Sequence, residues 1–485
     1  MLNLKTIAKI IGALLGLEAL LMSVCLCVSL LYQDKDTIAF IWSILITIVA
    51  GGAFRLMGRH ANNTISRRDA YFVVAVTWII FSLFGTLPFL ISGHITSFTN
   101  AFFETMSGFT TTGASIVDFP EHFPKGLLFW RSLTQWIGRL GIVFFTIAIL
   151  PSLVGGSLKV FAAEATGPIK SKLHPRLSMG AKWIWMVYFV LTAACVVSYK
   201  VCGMNWFDAF NYAMTSTATG GFSTESASIA TFHSPAEEYV CTIFCFLSGV
   251  NFTLLYTSVA GFKLKAMLKN SEFKFYAAMT AGFTLFIMLE LIFRCNYEVE
   301  HAFRSSAFQV VSFITTTGLF SDDAAKWPHV TWVVLAACMF FGGSSGSTSG
   351  GIKSIRGVML VKVIKNEFRQ ILHPNAVLPM KVDGYNVQMS KRVTLLAFIG
   401  LYLFLAVICA FTMIAAGIDS TNSMTITLSS LGNVGPTLGL EIGPTMSWNE
   451  LPDFAKWISS FLMLVGRLEL FSVLVLFTPS FWKEN

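Results

Sequence analysis

Phe109-Thr110-Thr111-Thr112-Gly113-Ala114-Ser115 is the stretch on which the fold turns, because versions of it return three more times at intervals of about a hundred residues. The second is Thr215-Ser216-Thr217-Ala218-Thr219-Gly220-Gly221-Phe222-Ser223, and the third is Ile314-Thr315-Thr316-Thr317-Gly318-Leu319-Phe320-Ser321. The fourth is Leu431-Gly432-Asn433-Val434-Gly435-Pro436-Thr437. The glycines Gly113, Gly220, Gly318 and Gly435 mark the centre of each loop. A short amphipathic stretch precedes every one: Asn100 to Ser107 in the first, with counterparts beginning near Trp206, His301 and Thr421. These stretches are too short to cross a bilayer, yet each stands between two long apolar runs. The unit therefore reads span, half-helix, Thr/Gly loop, span. Small residues also gather wherever membrane helices pack closely. Packing alone does not require them in the same place in four successive units. Re-entrant backbone persists at membrane depth only inside protein or beside a water-filled cavity. Four units about one axis bring four loops to one pore.

The rest of the chain fits that frame. Of its 485 residues, 54% are hydrophobic and 12% charged, against about 25% charged in soluble domains. Spans are expected near Ile7–Leu31, Ile38–Phe54, Tyr71–Ser92, Leu127–Leu150, Trp183–Val201, Tyr239–Phe262, Phe275–Phe293, Val330–Phe341, Val393–Ala416 and Phe454–Pro479. The first is too long for a signal peptide and lacks a small-x-small cleavage site, so it reads as a retained helix. The expected fold is all-α and integral to the membrane, with about ten transmembrane helices. Residues 1–69 supply two extra N-terminal spans. The four pseudo-symmetric units are 70–180, 181–273, 274–391, with a broken second span, and 392–485.

The net charge of +8 is explained by topology. Lys and Arg collect in alternate connections: Arg55, Arg59, Arg67 and Arg68; Lys159, Lys170, Lys172, Arg176 and Lys182; Lys263, Lys265, Lys269 and Lys274; and Lys353 through Arg392. Acids such as Asp118, Glu121, Glu225, Glu237, Glu238, Asp322, Asp323 and Glu441 collect in the others. By the positive-inside rule both termini are cytoplasmic. A nucleic-acid role is not needed. The nine cysteines are scattered, and Cys241 and Cys245, on one helix face without a His or acidic neighbour, read as small apolar fillers.

The loop chemistry suits a dehydrated potassium ion, which needs oxygen ligands in place of water. Glycine permits the backbone angles that turn carbonyls inward. Small Thr and Ser side chains let four strands approach. Each half-helix would point its C-terminal end, partially negative, at the pore. A second feature is Gly342-Gly343-Ser344-Ser345-Gly346-Ser347-Thr348-Ser349-Gly350-Gly351, ten small residues that interrupt the eighth span. Such a run is a poor lipid-facing helix and fits a flexible loop below the filter. A soluble linker is the plainer reading, and the Gly-Lys-Ser/Thr ending of a phosphate loop is absent. Ile137-Gly138-Arg139-Leu140 and Val465-Gly466-Arg467-Leu468 place an arginine at the same point of two spans. A charge there faces protein or water, and Glu469 is a candidate partner for Arg467. Glu104 and Asp208, early in two half-helices, either enrich cations at the mouth or brace a helix end. Asp118 and Glu225 either attract cations or are solvated loop charge.

Together these motifs resemble the Trk/Ktr/HKT superfamily of potassium transporters, in particular its bacterial Trk membrane subunits, over nearly the whole chain. The resemblance implies a potassium filter at Thr111, Thr112 and Gly113; at Ala218, Thr219 and Gly220; at Thr316, Thr317 and Gly318; and at Asn433, Val434 and Gly435. Sodium-selective relatives carry Ser at the first filter glycine, so Gly113 implies potassium. It also implies an intramembrane gate at Gly342–Gly351, a barrier arginine at Arg467, a homodimer with one pore per protomer, and a cytoplasmic TrkA-type ring of nucleotide-binding subunits. The location implied is the bacterial inner membrane, with potassium as transported ion and no organic cofactor. The competing reading is an ion-coupled secondary transporter of a small solute, which ordinarily shows two related halves. There is no His-Glu-x-x-His metal motif, no convincing Gly-x-Ser-x-Gly elbow and no paired intramembrane aspartates, so no enzyme is expected.

Overall fold

The computed structural model describes residues 2–59, 61, 65–139, 141, 177–260, 264–438 and 447–483. The second half of the expected fourth span, the basic residues Lys159 to Arg176, Lys263 and Glu441 lie outside the described residues. Within them the fold is a multi-pass helical membrane protein. Six helices are long and apolar enough to cross a membrane: Leu4–Tyr32, Thr37–Met57, Arg67–Ser92, Trp183–Val201, Ser271–Cys295 and Met389–Ala415. Two more spans are sharply bent. Pro235–Ser248 meets Phe252–Ser258 at 100°, and Asp453–Arg467 meets Leu470–Phe477 at 114°. The eighth expected span stops at Phe340 and resumes at Ser354. The helix Lys125–Arg139 supplies the described part of the fourth.

The bends correct the straight spans expected over Tyr239–Phe262 and Phe454–Pro479. In the first, Asn251 accepts the backbone N–H groups of Thr253 and Leu254 at 2.9 and 3.2 Å, starting a new helix inside an apolar run. In the second, Glu469 adopts a left-handed φ of 58° directly after Leu468. The second spans of the second, third and fourth units are therefore all broken.

Four short helices lie between the spans: Phe98–Phe109, Trp206–Thr217, Val299–Ile314 and Ser420–Gly432. Side-chain caps start three of them. Ser97 accepts from Asn100 N, Asn205 from Asp208 N at 2.8 Å, and Asp419 from Thr421 N at 2.8 Å. Their C-terminal halves are buried, including Phe109, Tyr212, Phe313 and Leu431. This burial fixes where each half-helix ends.

The N-terminal pair docks on the first unit. A side chain on Gly12 would run into the backbone of Gly51 and Arg55, so the two helices touch directly. The turn between them then caps another helix: Asp34 accepts Lys125 N at 2.7 Å and Asp36 accepts Leu127 N at 3.0 Å. Two acids thus meet the positive end of the helix that carries Arg139.

Candidate cation filter

All four short helices end in the same way. Thr112 N donates to Ser107 O at 2.9 Å, Gly220 N to Thr215 O at 2.9 Å, Thr317 N to Ser312 O at 2.7 Å, and Val434 N to Ser429 O at 2.9 Å. The preceding residue of each loop is left-handed: Thr111 at φ 56°, Thr219 at 49°, Thr316 at 57° and Asn433 at 54°. These are Schellman endings, which close off the last carbonyls of a helix by reversing the chain. Two residues after each left-handed residue comes a left-handed glycine: Gly113, Gly221, Gly318 and Gly435, with φ between 80° and 100°.

This backbone register places the second loop one residue further along than the resemblance implied. Its counterpart of Thr111-Thr112-Gly113 is Thr219-Gly220-Gly221. Ala218 is the right-handed residue that caps the half-helix, like Thr110 and Thr315. With two adjacent glycines, the sequence offered no reason to prefer the second.

The four glycines close a ring. A side chain on Gly113 would overlap the carbonyl oxygen of Gly220. One on Gly221 would overlap Thr317 O, one on Gly318 would overlap Val434 O, and one on Gly435 would overlap Thr112 O. Each loop therefore abuts the middle carbonyl of the next, and the fourth returns to the first. Only glycine fits, for the left-handed angle and for the contact alike. The same four glycines line one side of a vestibule together with Asp118 and Arg131.

Different side chains brace equivalent loops. The hydroxyls of Thr110 and Thr112 meet at 2.9 Å, and those of Thr315 and Thr317 at 2.7 Å. The second loop has no such pair. There Gln135 Nε2 donates to Gly220 O at 2.7 Å and its Oε1 accepts Phe222 N at 3.1 Å. In the fourth, Asn433 Nδ2 donates to Thr112 Oγ1 at 3.0 Å and to Met463 O at 2.9 Å. Glu104 proves to be a brace. Its carboxylate is buried, pairs with Arg131 Nε at 2.8 Å, and accepts Ile116 N at 2.9 Å. Arg131 also donates to Ser223 O at 2.9 Å, stapling the first unit to the second. Asp208 does the same on a smaller scale, accepting the Thr224 hydroxyl at 2.7 Å. Cys241 and Cys245 are buried among apolar residues behind the second half-helix.

The Gly/Ser/Thr run lies against the other side of the filter. Gly342 N donates to Ile352 O at 2.8 Å and Ile352 N to Phe340 O at 3.1 Å, pinching the loop at its neck. Its tip rests on the bend of the sixth span, where Ser344 N meets Gly249 O at 2.9 Å and Thr348 N meets Ser248 O at 3.1 Å. It also touches the filter: the Thr219 hydroxyl donates to Thr348 O at 3.0 Å, and Gly350 N donates to Thr316 Oγ1 at 2.6 Å. A buried carboxylate holds the loop from below. Glu272 accepts Ser345 N at 2.5 Å, the Ser345 hydroxyl at 3.2 Å and Ile355 N at 3.1 Å. Nothing in the sequence distinguished Glu272 from an ordinary acid at a helix start.

A family model described as TrkH, a cation transport protein, matches residues 37–484. The chain belongs to the TrkH cation transport family. TrkH relatives include the Trk system potassium uptake protein TrkH of Halomonas elongata, 36% identical over 99% of this chain and all of that protein. The TrkH of Escherichia coli K12 is 34% identical over the same shares. The crystal structure of the potassium transporter TrkH from Vibrio parahaemolyticus superimposes with a TM-score of 0.90 at 33% identity, covering 99% of both chains. TrkH proteins are transporters, so the chain is not an enzyme.

Within this TrkH fold the two repeated arginines part company. Gly138 and Gly466 play equal roles, since a side chain on either would overlap a carbonyl of the adjoining half-helix, at Phe109 and Leu431. Arg467 reaches the carbonyls of Gly138 (2.7 Å) and Arg139, and its guanidinium lies 5.5 Å from the Trp78 ring centre. Glu469 holds Arg356 at 2.7 Å. Arg139, 3% exposed, donates instead to the hydroxyls of Thr111 and Thr219.

Proposed function

We propose that the chain takes up potassium across the bacterial inner membrane through a filter made by the four loops. The observation that carries this reading is the closed cycle of glycine-to-carbonyl contacts, which supports four equivalent strands about one axis. The filter is Thr111-Thr112-Gly113, Thr219-Gly220-Gly221, Thr316-Thr317-Gly318 and Asn433-Val434-Gly435. In each strand two residues of positive φ flank one that is not, an arrangement that can turn successive peptide groups to one side. Rings of carbonyl oxygen can then replace the hydration shell. The half-helices end on the filter, and their carbonyl ends favour a cation. The names of the relatives add the ion: each is a potassium uptake protein.

The Gly342–Gly351 loop is the gate, supported by its direct hydrogen bonds to Thr219 and Thr316. Arg467 adds a positive barrier on the same side. With both termini cytoplasmic, the vestibule faces outward and the gate faces the cytoplasm. The exposed bases Lys365, Arg369, Lys381 and Lys391 then offer a docking face for a TrkA-type nucleotide-binding ring, and the chain works as a homodimer with one pore per protomer. The test is flux into proteoliposomes holding the purified chain, comparing potassium, sodium and an organic solute. Potassium uptake above sodium uptake is expected. Solute uptake with no cation preference would overturn the reading in favour of a secondary transporter.

A further inference from the structure

The arginine that reaches the filter is Arg139, not Arg467. Its Nη1 donates to Thr111 Oγ1, and its Nη2 to Thr219 Oγ1 and, at 3.5 Å, to Thr316 Oγ1. These three threonines hold the same left-handed position in three of the four loops. Their hydroxyl groups are set to receive a cation. The Thr111 proton goes to Thr110 O at 2.7 Å and the Thr219 proton to Thr348 O at 3.0 Å, so both oxygens turn lone pairs to Arg139. A hydroxyl has one proton to donate, and here it is spent elsewhere. The fourth position is Asn433, whose amide is engaged with Thr112 and Met463. The guanidinium thus takes every hydroxyl the ring provides. Arginine keeps its charge even when buried, and its planar fork can serve several acceptors at once.

We propose that Arg139 is a tethered blocking cation: its guanidinium occupies the gate-side end of the filter, where a potassium ion would otherwise take the hydroxyls of Thr111, Thr219 and Thr316. The inference rests on the filter reading above. Conduction then requires the side chain to withdraw. Its tether is defined, because Arg139 is the last residue of the helix Lys125–Arg139 and Arg467 holds that helix end through the carbonyls of Gly138 and Arg139. A shift of the last unit's helix Asp453–Arg467 relative to the first would move both ends of this link together. The Gly342–Gly351 loop touches two of the same threonines, so loop and arginine block at one level.

The test uses the full chain without any partner, as wild type, Arg139→Gln, Arg139→Met and Arg139→Lys, each checked for monodispersity in detergent. Two quantities are read: rubidium uptake into proteoliposomes, and the rise in melting temperature on replacing sodium with potassium. The neutral variants are expected to raise rubidium uptake about tenfold or more, because a fixed charge in a low-dielectric passage acts far more strongly than in water. Their potassium-dependent rise in melting temperature should exceed that of the wild type, since a vacated site binds one more ion. Arg139→Lys should stay within about threefold of the wild type in uptake, its charge retained. Neutral variants that fold and match the wild type in both quantities, or that fall below it, overturn the proposal. Gly113→Ser separates this failure from failure of the filter reading. If it erases the potassium-over-sodium difference while the Arg139 variants behave as wild type, the filter stands and the blocking role falls. If Gly113→Ser changes nothing, the filter reading itself falls.

Discussion

Replacing Gly221 with Ala should damage ion discrimination far more than replacing its neighbour Gly220. Gly221 has φ +85°, and an added Cβ would overlap the backbone oxygen of Thr317 in the third loop. Holding an L-residue in that region costs roughly 1–2 kcal/mol. No rotamer change relieves the overlap, because both atoms are fixed to backbone, so the second and third strands must separate. A Cβ on Gly220 would instead meet the side-chain amide of Gln135, which can rotate away. That rotation sacrifices the two neutral hydrogen bonds of the Gln135 amide, each worth about 0.5–1.5 kcal/mol, part of which other contacts recover, and it leaves the strands in place. Since about 1.4 kcal/mol is a tenfold change, Gly221→Ala should lower the rubidium-to-sodium uptake ratio about tenfold or more. Gly220→Ala should lower it severalfold less than Gly221→Ala does, because a side chain and not a strand gives way. The assay is paired uptake of both ions into proteoliposomes with equal amounts of monodisperse protein. The reverse order, with Gly220→Ala the more damaging, would refute the register assigned to the second loop.

Other perturbations test other parts. Glu272→Ala removes the carboxylate that accepts Ser345 N, the Ser345 hydroxyl and Ile355 N, so the gate loop should loosen and rubidium uptake by the chain alone should rise; unchanged uptake would detach Glu272 from gating. Arg131→Ala leaves the buried Glu104 carboxylate without its ion-pair partner, a loss of about 3–5 kcal/mol, and should lower the melting temperature clearly. A melting curve like that of the wild type would remove the brace from the account. Asp118 lines the vestibule, so Asp118→Asn should reduce potassium uptake severalfold at low salt and scarcely at about 1 M, where charges are screened beyond about 3 Å. A deficit independent of ionic strength would mean the residue acts by structure and not by field.

Much of this was written in the sequence, and the exceptions have physical causes. The four Thr/Gly loops and their half-helices were legible because each unit needs the same backbone reversal. The break at Gly342 was legible because ten small residues cannot make a lipid-facing helix. The bend after Ser248 was hidden, since hydropathy sums apolar residues regardless of direction. Gly249 followed by Asn251 was the available signal, a flexible residue and then a helix cap. The register of the second loop was hidden by the pair Gly220-Gly221, either of which satisfies the motif. The two Gly-Arg pairs stand at matching points of their spans and their glycines play equal roles, while the resemblance singled out Arg467 alone. The arginines differ because their surroundings differ: Arg139 reaches the hydroxyls of three loops, and Arg467 reaches the carbonyls at the end of the Arg139 helix. Glu104 was open between ion attraction and bracing, and its contacts with Arg131 and Ile116 decide for bracing.

The most direct test of the central claim is anomalous diffraction from crystals of the full chain grown with rubidium. The account predicts a rubidium peak on the axis among Thr112, Gly220, Thr317 and Val434, with oxygen ligands from all four loops. A well-ordered filter with no rubidium there, or rubidium held by one or two loops only, would contradict it.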